Sequence, residues 1–185
     1  LPIGATPEFA DHVQADGKVY DILFYGDSLS SPRRRQLLEA AQAEFKVHVV
    51  NDRFGDDMIQ TIRQSRLVLN LHYYDDALLE MPRIQECLSL GVPVVSEMAQ
   101  DQGDYPELDD AVVFFEQGSA SGMLAALRET LARPPVDTQA SVQQSQARFA
   151  FMSDRFLMAM GWLPTSHFRQ MHPPLPADGI GRAHA

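Results

Sequence analysis

Cysteine, basic charge and long apolar runs are all scarce in this sequence of 185 residues. The single cysteine, Cys87, excludes an intrachain disulfide and any metal site built from several thiolates, and it suits a reducing compartment. No apolar run approaches the roughly 20 residues that a membrane-spanning helix needs. The formal net charge of −10 argues against a surface that binds the phosphates of a nucleic acid. We therefore expect a globular, cytoplasmic protein without a nucleic-acid partner.

Motifs for metal binding, hydrolysis and dinucleotide binding are missing as well. No two histidines have the spacing of a metal site, and the acidic pairs fall in predicted caps and loops, where solvated carboxylates are usual. The sequence contains no G-x-S-x-G, no G-x-G-x-x-G and no G-x-x-x-x-G-K-[ST] motif. The sequence therefore predicts neither a metal site nor a hydrolase.

Two continuous apolar runs, residues 67–71 and 92–95, flank a short segment with helical spacing. Continuous apolar runs are typical of parallel strands that are covered on both faces. The segment between them begins near Pro82 and ends at Gly91, which are common signals for the start and the end of a helix. The apolar face of this helix carries Ile84, Cys87 and Leu88. This stretch therefore predicts a strand, a polar loop, a helix and a second strand.

The same alternation of strand and helix runs through most of the chain. Three further strands are predicted over residues 20–25, 45–50 and 111–115. Helices are predicted over residues 32–44, 57–66 and 121–133, with Ser31 and Asp56 as the caps of the first two. Five strands that alternate with helices indicate an α/β fold, a doubly wound parallel sheet with helices on both faces.

The two ends of the chain have a different composition from the middle. Residues 1–18 contain scattered proline and glycine and are predicted to be a linker or lead-in, and the domain itself spans residues 19–162. Its last helix, over residues 141–160, carries more Met and Phe than a surface helix needs. Residues 163–185, rich in Pro, Gly and His, are expected to form a disordered tail.

Polar residues cluster where the predicted strands end. His72 follows one buried run and Glu97 follows the next, and ligands in open α/β sheets bind outside the carboxyl ends of the strands. The loop from Gly26 through Ser28 precedes a helix whose N-terminus can hold a phosphate group, although a plain turn explains it equally well. His72 fits a base, a phosphate donor or a structural loop histidine. These strand ends are the predicted ligand site.

Charged residues on the two helices next to this site have two interpretations each. Glu86 can accept two hydrogen bonds from a ribose diol, but charge spacing alone favours an ion pair with Arg83 one turn away. The basic run at residues 33–35 can face an anion or form a solvated helix face, and the solvated face is the more common case.

The segment ECLSLGVPVVSE at residues 86–97 resembles the E-A-x-A-x-G-x-P-V-V-x-x segment in the C-terminal half of GT-B glycosyltransferases. Those enzymes consist of two Rossmann-like domains. With LNLH at residues 69–72 and YDILFYGDSLSSPRRRQLLEAA upstream, the chain is most similar to the group 1 and spore-protein-like branch. The sequence LPIG at residues 1–4 also resembles the linker that precedes the second domain, so the resemblance covers residues 1–132.

This resemblance implies a C-terminal, donor-binding, Rossmann-like domain that binds a nucleotide sugar for transfer to an unknown acceptor. Neither a cofactor nor an essential metal is implied. Glu86 would hold the nucleotide ribose, while the loop at Gly26 and the helix start at Pro32 would face the diphosphate. The donor-binding residues implied are Gly26, Ser28, Arg33, His72, Arg83, Glu86 and Glu97. Residues 72–80 would border the donor sugar.

The resemblance also implies a partner that these 185 residues do not include. The acceptor-binding N-terminal domain is expected to be a separate half, through which the enzyme could associate peripherally with a membrane. This chain alone is therefore expected to be inactive. Many relatives also carry a glutamate eight positions before the ribose glutamate, where this chain has Leu78, with Glu80 nearby.

Two alternatives use the same fold without catalysis. A flavodoxin-like or receiver-like binding module is suggested by the polar strand ends at Asp27, Asn51 and Asp52. A receiver, however, needs a phosphoacceptor aspartate after its third strand, where this chain reads Asn70-Leu71-His72. The other alternative is a degenerate transferase domain that is retained for assembly.

Overall fold

One parallel sheet of five strands in the order β2-β1-β3-β4-β5 organises the protein. The computed structural model describes residues 17–134 and 137–173. The strands are β1 (Tyr20–Tyr25), β2 (Val47–Val50), β3 (Ser65–Asn70), β4 (Val94–Glu97) and β5 (Val112–Phe115). Because every neighbouring pair is parallel, all five carboxyl ends lie along the same edge. The predicted α/β class and five-stranded sheet are confirmed.

Helices cover both faces of the sheet. They are α1 (Pro32–Gln42), α2 (Gly55–Arg63), α3 (Met81–Ser89), α4 (Ala120–Ala132), α5 (Gln139–Ala159) and α6 (Thr165–Met171). Apolar residues of α1 and α4 form one core cluster with the sheet, whereas those of α2, α3 and the first turns of α5 form a second cluster on the opposite face. Ile84, Cys87 and Leu88 of α3 are fully buried, as predicted.

The neighbouring strands β1 and β3 send their helices to opposite faces. The helix after β1, α1, packs on one face, and the helix after β3, α3, packs on the other. Such a reversal opens a crevice between the carboxyl ends of two adjacent strands, which is where ligands bind in open α/β sheets. The fold therefore places its natural binding edge at the ends of β1 and β3.

Helix starts agree with the sequence at α1 and differ at α2. Ser31 caps α1, since its Oγ accepts a hydrogen bond from Arg34 N at 3.3 Å, and proline occupies the first turn. For α2 the prediction of Asp56 as the cap is wrong, because the helix begins at Gly55 and Phe54 is the N-cap residue. Asp56 instead lies in the first turn, where its negative charge favours the positive end of the helix dipole.

Residues 147–173 form a second compact unit, which contains the end of α5 and all of α6. The ring centroid of Phe151 lies 5.7 Å from that of Phe168 and 5.2 Å from that of His172. His172 Nε2 also lies 2.8 Å from a carboxylate oxygen of Asp154. Part of the segment 163–185, which was expected to be disordered, is thus helical because aromatic packing holds α6.

The ends of the chain and one short connection fall outside the description. Residues 1–16, expected to be a lead-in, lie outside the described residues, as do residues 135–136 and 174–185. In the part of the chain that the structure describes, no helix has both the length and the apolar character needed to cross a bilayer.

Candidate functional site

A cavity of about 450 Å³ opens at the carboxyl ends of β1 and β2. Its walls come from these two strand ends, from the loop that leads into α2, and from Glu86 on α3. Its lining includes the apolar side chains of Phe54, Met58 and Ile59 and the polar side chains of Asn51 and Arg53. This size and this mixture of apolar surface with a few polar groups are typical of small-molecule sites.

Glu86 presents a carboxylate to this cavity. Its Oε2 accepts a hydrogen bond from the Tyr25 hydroxyl at 3.0 Å, and the side chain lines the cavity. Among the described residues, no basic side chain pairs with Glu86 and no donor reaches its Oε1. A half-buried carboxylate with a vacant acceptor oxygen is well suited to bind ligand hydroxyl groups.

Arg83 points away from Glu86 and towards the start of its own helix. Its Nη1 lies 2.6 Å from Glu80 Oε2 and 2.7 Å from Asn70 Oδ1. The ion pair between Arg83 and Glu86 that charge spacing favoured is therefore wrong. Helical side chains lean towards the N-terminus, so the glutamate three positions earlier is the one within reach.

Gly26 allows Arg83 to approach the backbone after β1. The residue has a φ of +119°, and a Cβ at this position would lie 3.1 Å from Arg83 Nη2. Any side chain here would be strained by the backbone angle and would crowd the guanidinium group. The structure therefore brings Gly26, Arg83 and Glu86 to the same end of β1.

The loop that follows Gly26 satisfies two of its amide groups with its own side chain. Asp27 Oδ1 accepts hydrogen bonds from Leu29 N and Ser30 N, each at 2.9 Å. A hydrogen bond from the Ser30 side chain, followed by those from the Ser30 and Leu29 amides, lowers the pKa of the Asp27 carboxyl. Ser28 Oγ donates to Asn51 Oδ1 at 3.1 Å. The geometry favours the interpretation as a plain turn, because the amides of Leu29 and Ser30 are already hydrogen-bonded and are not free to bind a phosphate group.

Glu97 is fully buried and lies at the centre of a hydrogen-bonded cluster. Its carboxylate accepts from His72 N at 2.6 Å and from Gly118 N at 2.9 Å, and it also pairs with the Arg33 guanidinium. These contacts join the end of β3, the start of α4 and the start of α1. Glu97 therefore fixes the geometry of the binding edge.

His72 is also fully buried. Its Nε2 lies 3.2 Å from the Glu97 carbonyl oxygen, and because a carbonyl only accepts, Nε2 carries the proton. Its Nδ1 is buried and has no hydrogen-bond partner within residues 17–134 and 137–173. Arg33 donates to the His72 carbonyl and pairs with Asp75 at 3.2 Å. Arg33, His72 and Glu97 thus form a cluster of their own, apart from the cavity beside Glu86.

Arg34 and Tyr25 are site residues that the sequence interpretation missed. Arg34 is 4% exposed and donates to the carbonyl groups of Leu71 at 2.6 Å and Asp27 at 3.1 Å. Its Nη2 also lies 3.2 Å from Glu80 Oε1, so that Arg34 and Arg83 share one glutamate. Burial lowers the pKa of Arg34. The position of each residue in the sequence could have identified it. Tyr25 is the last residue of β1, and Arg34 lies in the first turn of α1, on either side of the loop that begins at Gly26.

The segment expected to border the donor sugar carries Leu78 where many relatives have a glutamate. Leu78 is 64% exposed, and the nearby Glu80 pairs with Arg34 and Arg83. Within the described residues, no group of three or more His, Cys, Asp or Glu side chains is placed to hold a metal ion.

Comparisons with solved structures identify glycosyltransferases with the same fold. The chain aligns with AviGT4, a glycosyltransferase involved in avilamycin A biosynthesis, with a TM-score of 0.54 and 18% identity over 85% of this chain and 58% of that one. It aligns with the sucrose-phosphate synthase of Thermosynechococcus elongatus with a TM-score of 0.52 and 13% identity over 91% of this chain and 49% of that one. This chain thus spans roughly half of each protein.

Sequence comparison gives the family. A search of curated protein sequences found no significant match. Residues 33–152, which are more than half of the chain, match the family model described as glycosyl transferase-like. The predicted resemblance is confirmed at this level, while the spore-protein-like branch stays a prediction. The chain belongs to the glycosyl transferase-like family.

Proposed function

We propose that this chain binds a nucleotide sugar and is the donor-binding domain of a two-domain GT-B glycosyltransferase. The single observation that carries this proposal is the Glu86 carboxylate, which lines the 450 Å³ cavity and has one oxygen without a partner in the described part of the chain. A ribose diol offers two hydroxyl donors, and a carboxylate offers acceptors only, so the two groups are complementary.

The nucleoside half of the donor fits the cavity between β1, β2 and α2. Phe54 lies on the cavity wall with 82% of its surface exposed, so its ring is available to stack on a base. Asn51 and Arg53 provide polar groups beside it. With the base near Phe54, the ribose would lie within the same cavity as Glu86.

The diphosphate is assigned to the crevice beside Gly26. Arg34 and Arg83 share the single carboxylate of Glu80, so two guanidinium groups lie beside this crevice with one ion-pair partner between them. Arg33 is less available, because it already pairs with both Glu97 and Asp75. Fixed cations at this place would stabilise the negative charge that develops on the leaving diphosphate without a metal ion.

The acceptor site is proposed to belong to a second domain. This chain covers 58% of AviGT4 and 49% of sucrose-phosphate synthase, so the family likeness covers only part of each enzyme. We propose that transfer occurs when that second domain closes over the donor, and that this chain alone binds donor without turnover.

Titration calorimetry tests this proposal. The chain is titrated with the diphosphates of adenosine, guanosine, cytidine and uridine, and we expect one or more to bind. Glu86→Ala should weaken that binding about tenfold or more, because hydrogen bonds to a charged group contribute roughly 1.5–3 kcal/mol. Glu129→Ala, on the exposed surface of α4, is the control carboxylate and should leave binding unchanged. Failure of all four to bind, or unchanged binding in Glu86→Ala, contradicts the proposal.

A further inference from the structure

A short series of hydrogen-bonded side chains ends at the Glu86 carboxylate. The Tyr25 hydroxyl lies 3.0 Å from Glu86 Oε2 and 3.6 Å from Cys87 Sγ. The Arg83 guanidinium lies over the Tyr25 ring, 4.7 Å from its centroid. The tyrosine is thus held both at its hydroxyl group and on a ring face.

The hydrogen bonds among Cys87, Tyr25 and Glu86 have a single donor-to-acceptor direction. Burial, with Cys87 and Glu86 nearby, raises the pKa of Tyr25 far above its usual value, so the phenol keeps its proton. Burial also raises the pKa of Cys87 to about 12, which keeps the thiol protonated at neutral pH. Because a carboxylate only accepts, Tyr25 donates to Glu86, and its oxygen remains free to accept from the Cys87 thiol.

This arrangement restricts the rotation of the Glu86 carboxylate. The last torsion of a glutamate side chain is broad and has little preference of its own. The hydrogen bond from Tyr25 engages Oε2, and Oε1 has no partner among the described residues. The carboxylate is therefore held in one orientation before any ligand arrives, which reduces the entropy that binding would cost.

We infer that Tyr25 is a positioning residue that makes the site selective for ribose over deoxyribose. The inference rests on the proposed function, in which Glu86 receives the ribose hydroxyl groups. A carboxylate held in one orientation accepts hydrogen bonds only from ribose hydroxyl groups at defined positions. If one of these hydroxyl groups is missing, a half-buried acceptor oxygen of Glu86 stays unpaired. Without the Tyr25 hydroxyl, the carboxylate can turn to water or to the remaining ribose hydroxyl, so the discrimination decreases.

Affinities for ribonucleoside diphosphates and their 2′-deoxy counterparts test this inference. We expect the wild-type chain to prefer the ribose form about tenfold or more, as hydrogen bonds to charged groups predict. Tyr25→Phe keeps the ring beneath Arg83 and removes only the hydroxyl group, and we expect it to lose most of this preference. Tyr20→Phe is the matched control, because Tyr20 lies at the other end of β1, where its ring stacks on His48. Tyr20→Phe should therefore prefer the ribose form as strongly as the wild type does.

Cys87→Ala provides a second variant, which removes the thiol behind the phenol. We expect it to reduce the preference for ribose by a smaller factor, about twofold to threefold, since S–H is a weak donor. If Tyr25→Phe loses its native circular dichroism spectrum, an unchanged preference in Cys87→Ala overturns the inference.

The outcomes separate this inference from the proposed function. A preference that is unchanged in Tyr25→Phe, or an equal loss of affinity for both sugars, overturns the positioning role while nucleotide binding stands. Binding to the wild type without any preference for ribose also overturns it. If the folded wild-type chain binds no nucleoside diphosphate, the proposed function fails and the inference fails with it.

Discussion

The backbone N–H of His72 donates to the buried carboxylate of Glu97 at 2.6 Å, which ties the end of β3 to the end of β4. The same carboxylate also holds Arg33 and the amide of Gly118. One glutamate thus fixes three of the segments that surround the binding edge. The geometry of the site therefore depends on the buried carboxylate of Glu97 as well as on the residues that line the cavity.

Glu97→Ala should therefore destabilise the fold. The substitution leaves the amides of His72 and Gly118 without their acceptor and removes one of the two carboxylate partners of Arg33. Breaking a buried ion pair of this kind costs about 3–5 kcal/mol. Equilibrium unfolding in urea would measure the change as a lower midpoint. Glu129→Ala, whose carboxylate is 53% exposed, is the control and should change the free energy of unfolding by well under 1 kcal/mol. Equal stabilities of the two variants would contradict the role of Glu97.

Gly26→Ala should destabilise the loop after β1. Position 26 has a φ of +119° and only 3.1 Å between an added Cβ and Arg83 Nη2. We expect a loss of about 1–3 kcal/mol in the free energy of unfolding, as is usual for a residue held in an unfavourable backbone region. Gly103→Ala is a matched control, since an added Cβ there has no neighbour within 4 Å and φ is outside the left-handed region. A similar effect at both positions would contradict this account of Gly26.

Arg83→Gln should weaken the binding of a nucleoside diphosphate more than the binding of its parent nucleoside. The guanidinium lies beside Gly26, where we assign the diphosphate, and the substitution removes its charge. We expect a loss of about tenfold for the diphosphate, since a charge-assisted hydrogen bond contributes roughly 1.5–3 kcal/mol. Calorimetry with both ligands makes the comparison.

Arg128→Gln supplies the control for this measurement. Arg128 pairs with Glu44 and its side chain is 55% exposed, so its removal should affect neither ligand. Equal losses for diphosphate and nucleoside in Arg83→Gln would show that the arginine does not serve the phosphates.

Cys87 should make stability dependent on pH in the alkaline range. Burial raises the pKa of the thiol from 9.0 to about 12 in the folded chain, so the folded state binds this proton more tightly than the unfolded state. Its contribution is complete below about pH 9 and is lost as the pH rises towards about 12, with a slope of up to about 1.4 kcal/mol per pH unit.

Comparison with Cys87→Ala isolates this contribution from other groups that titrate at high pH. Urea unfolding between pH 8 and about pH 10.5 would show a steeper loss of stability in the wild type than in the variant. Identical slopes would contradict the burial of a protonated thiol.

The parts of the fold that the sequence predicts are those that rest on local patterns. Uninterrupted apolar runs indicated the buried strands, and Ser31 with the following proline located the start of α1. Asp56 was misplaced because acidic residues favour both a cap and a first helical turn, and spacing alone does not separate the two.

The site was less predictable because its contacts join residues far apart in the chain. Glu86 was identified from a motif, yet its true partner, Tyr25, is 61 positions away. Glu97 was predicted to bind the donor, but the buried contacts with Arg33 and Gly118 depend on how three loops meet. Whether Gly26, Ser28, Arg33, His72, Arg83, Glu86 and Glu97 contact a donor stays a prediction.

Mapping of amide chemical shifts by NMR tests the central claim most directly. The labelled chain is titrated with the nucleoside diphosphate that calorimetry finds to bind best. We expect the largest shifts around Gly26, Asn51, Phe54 and Glu86, and we expect Glu86→Ala to need about tenfold or more additional ligand to reach the same shifts. Shifts centred on Lys18 and Gly91, which line a separate cavity, or an unchanged ligand requirement in Glu86→Ala, would contradict this placement of the donor.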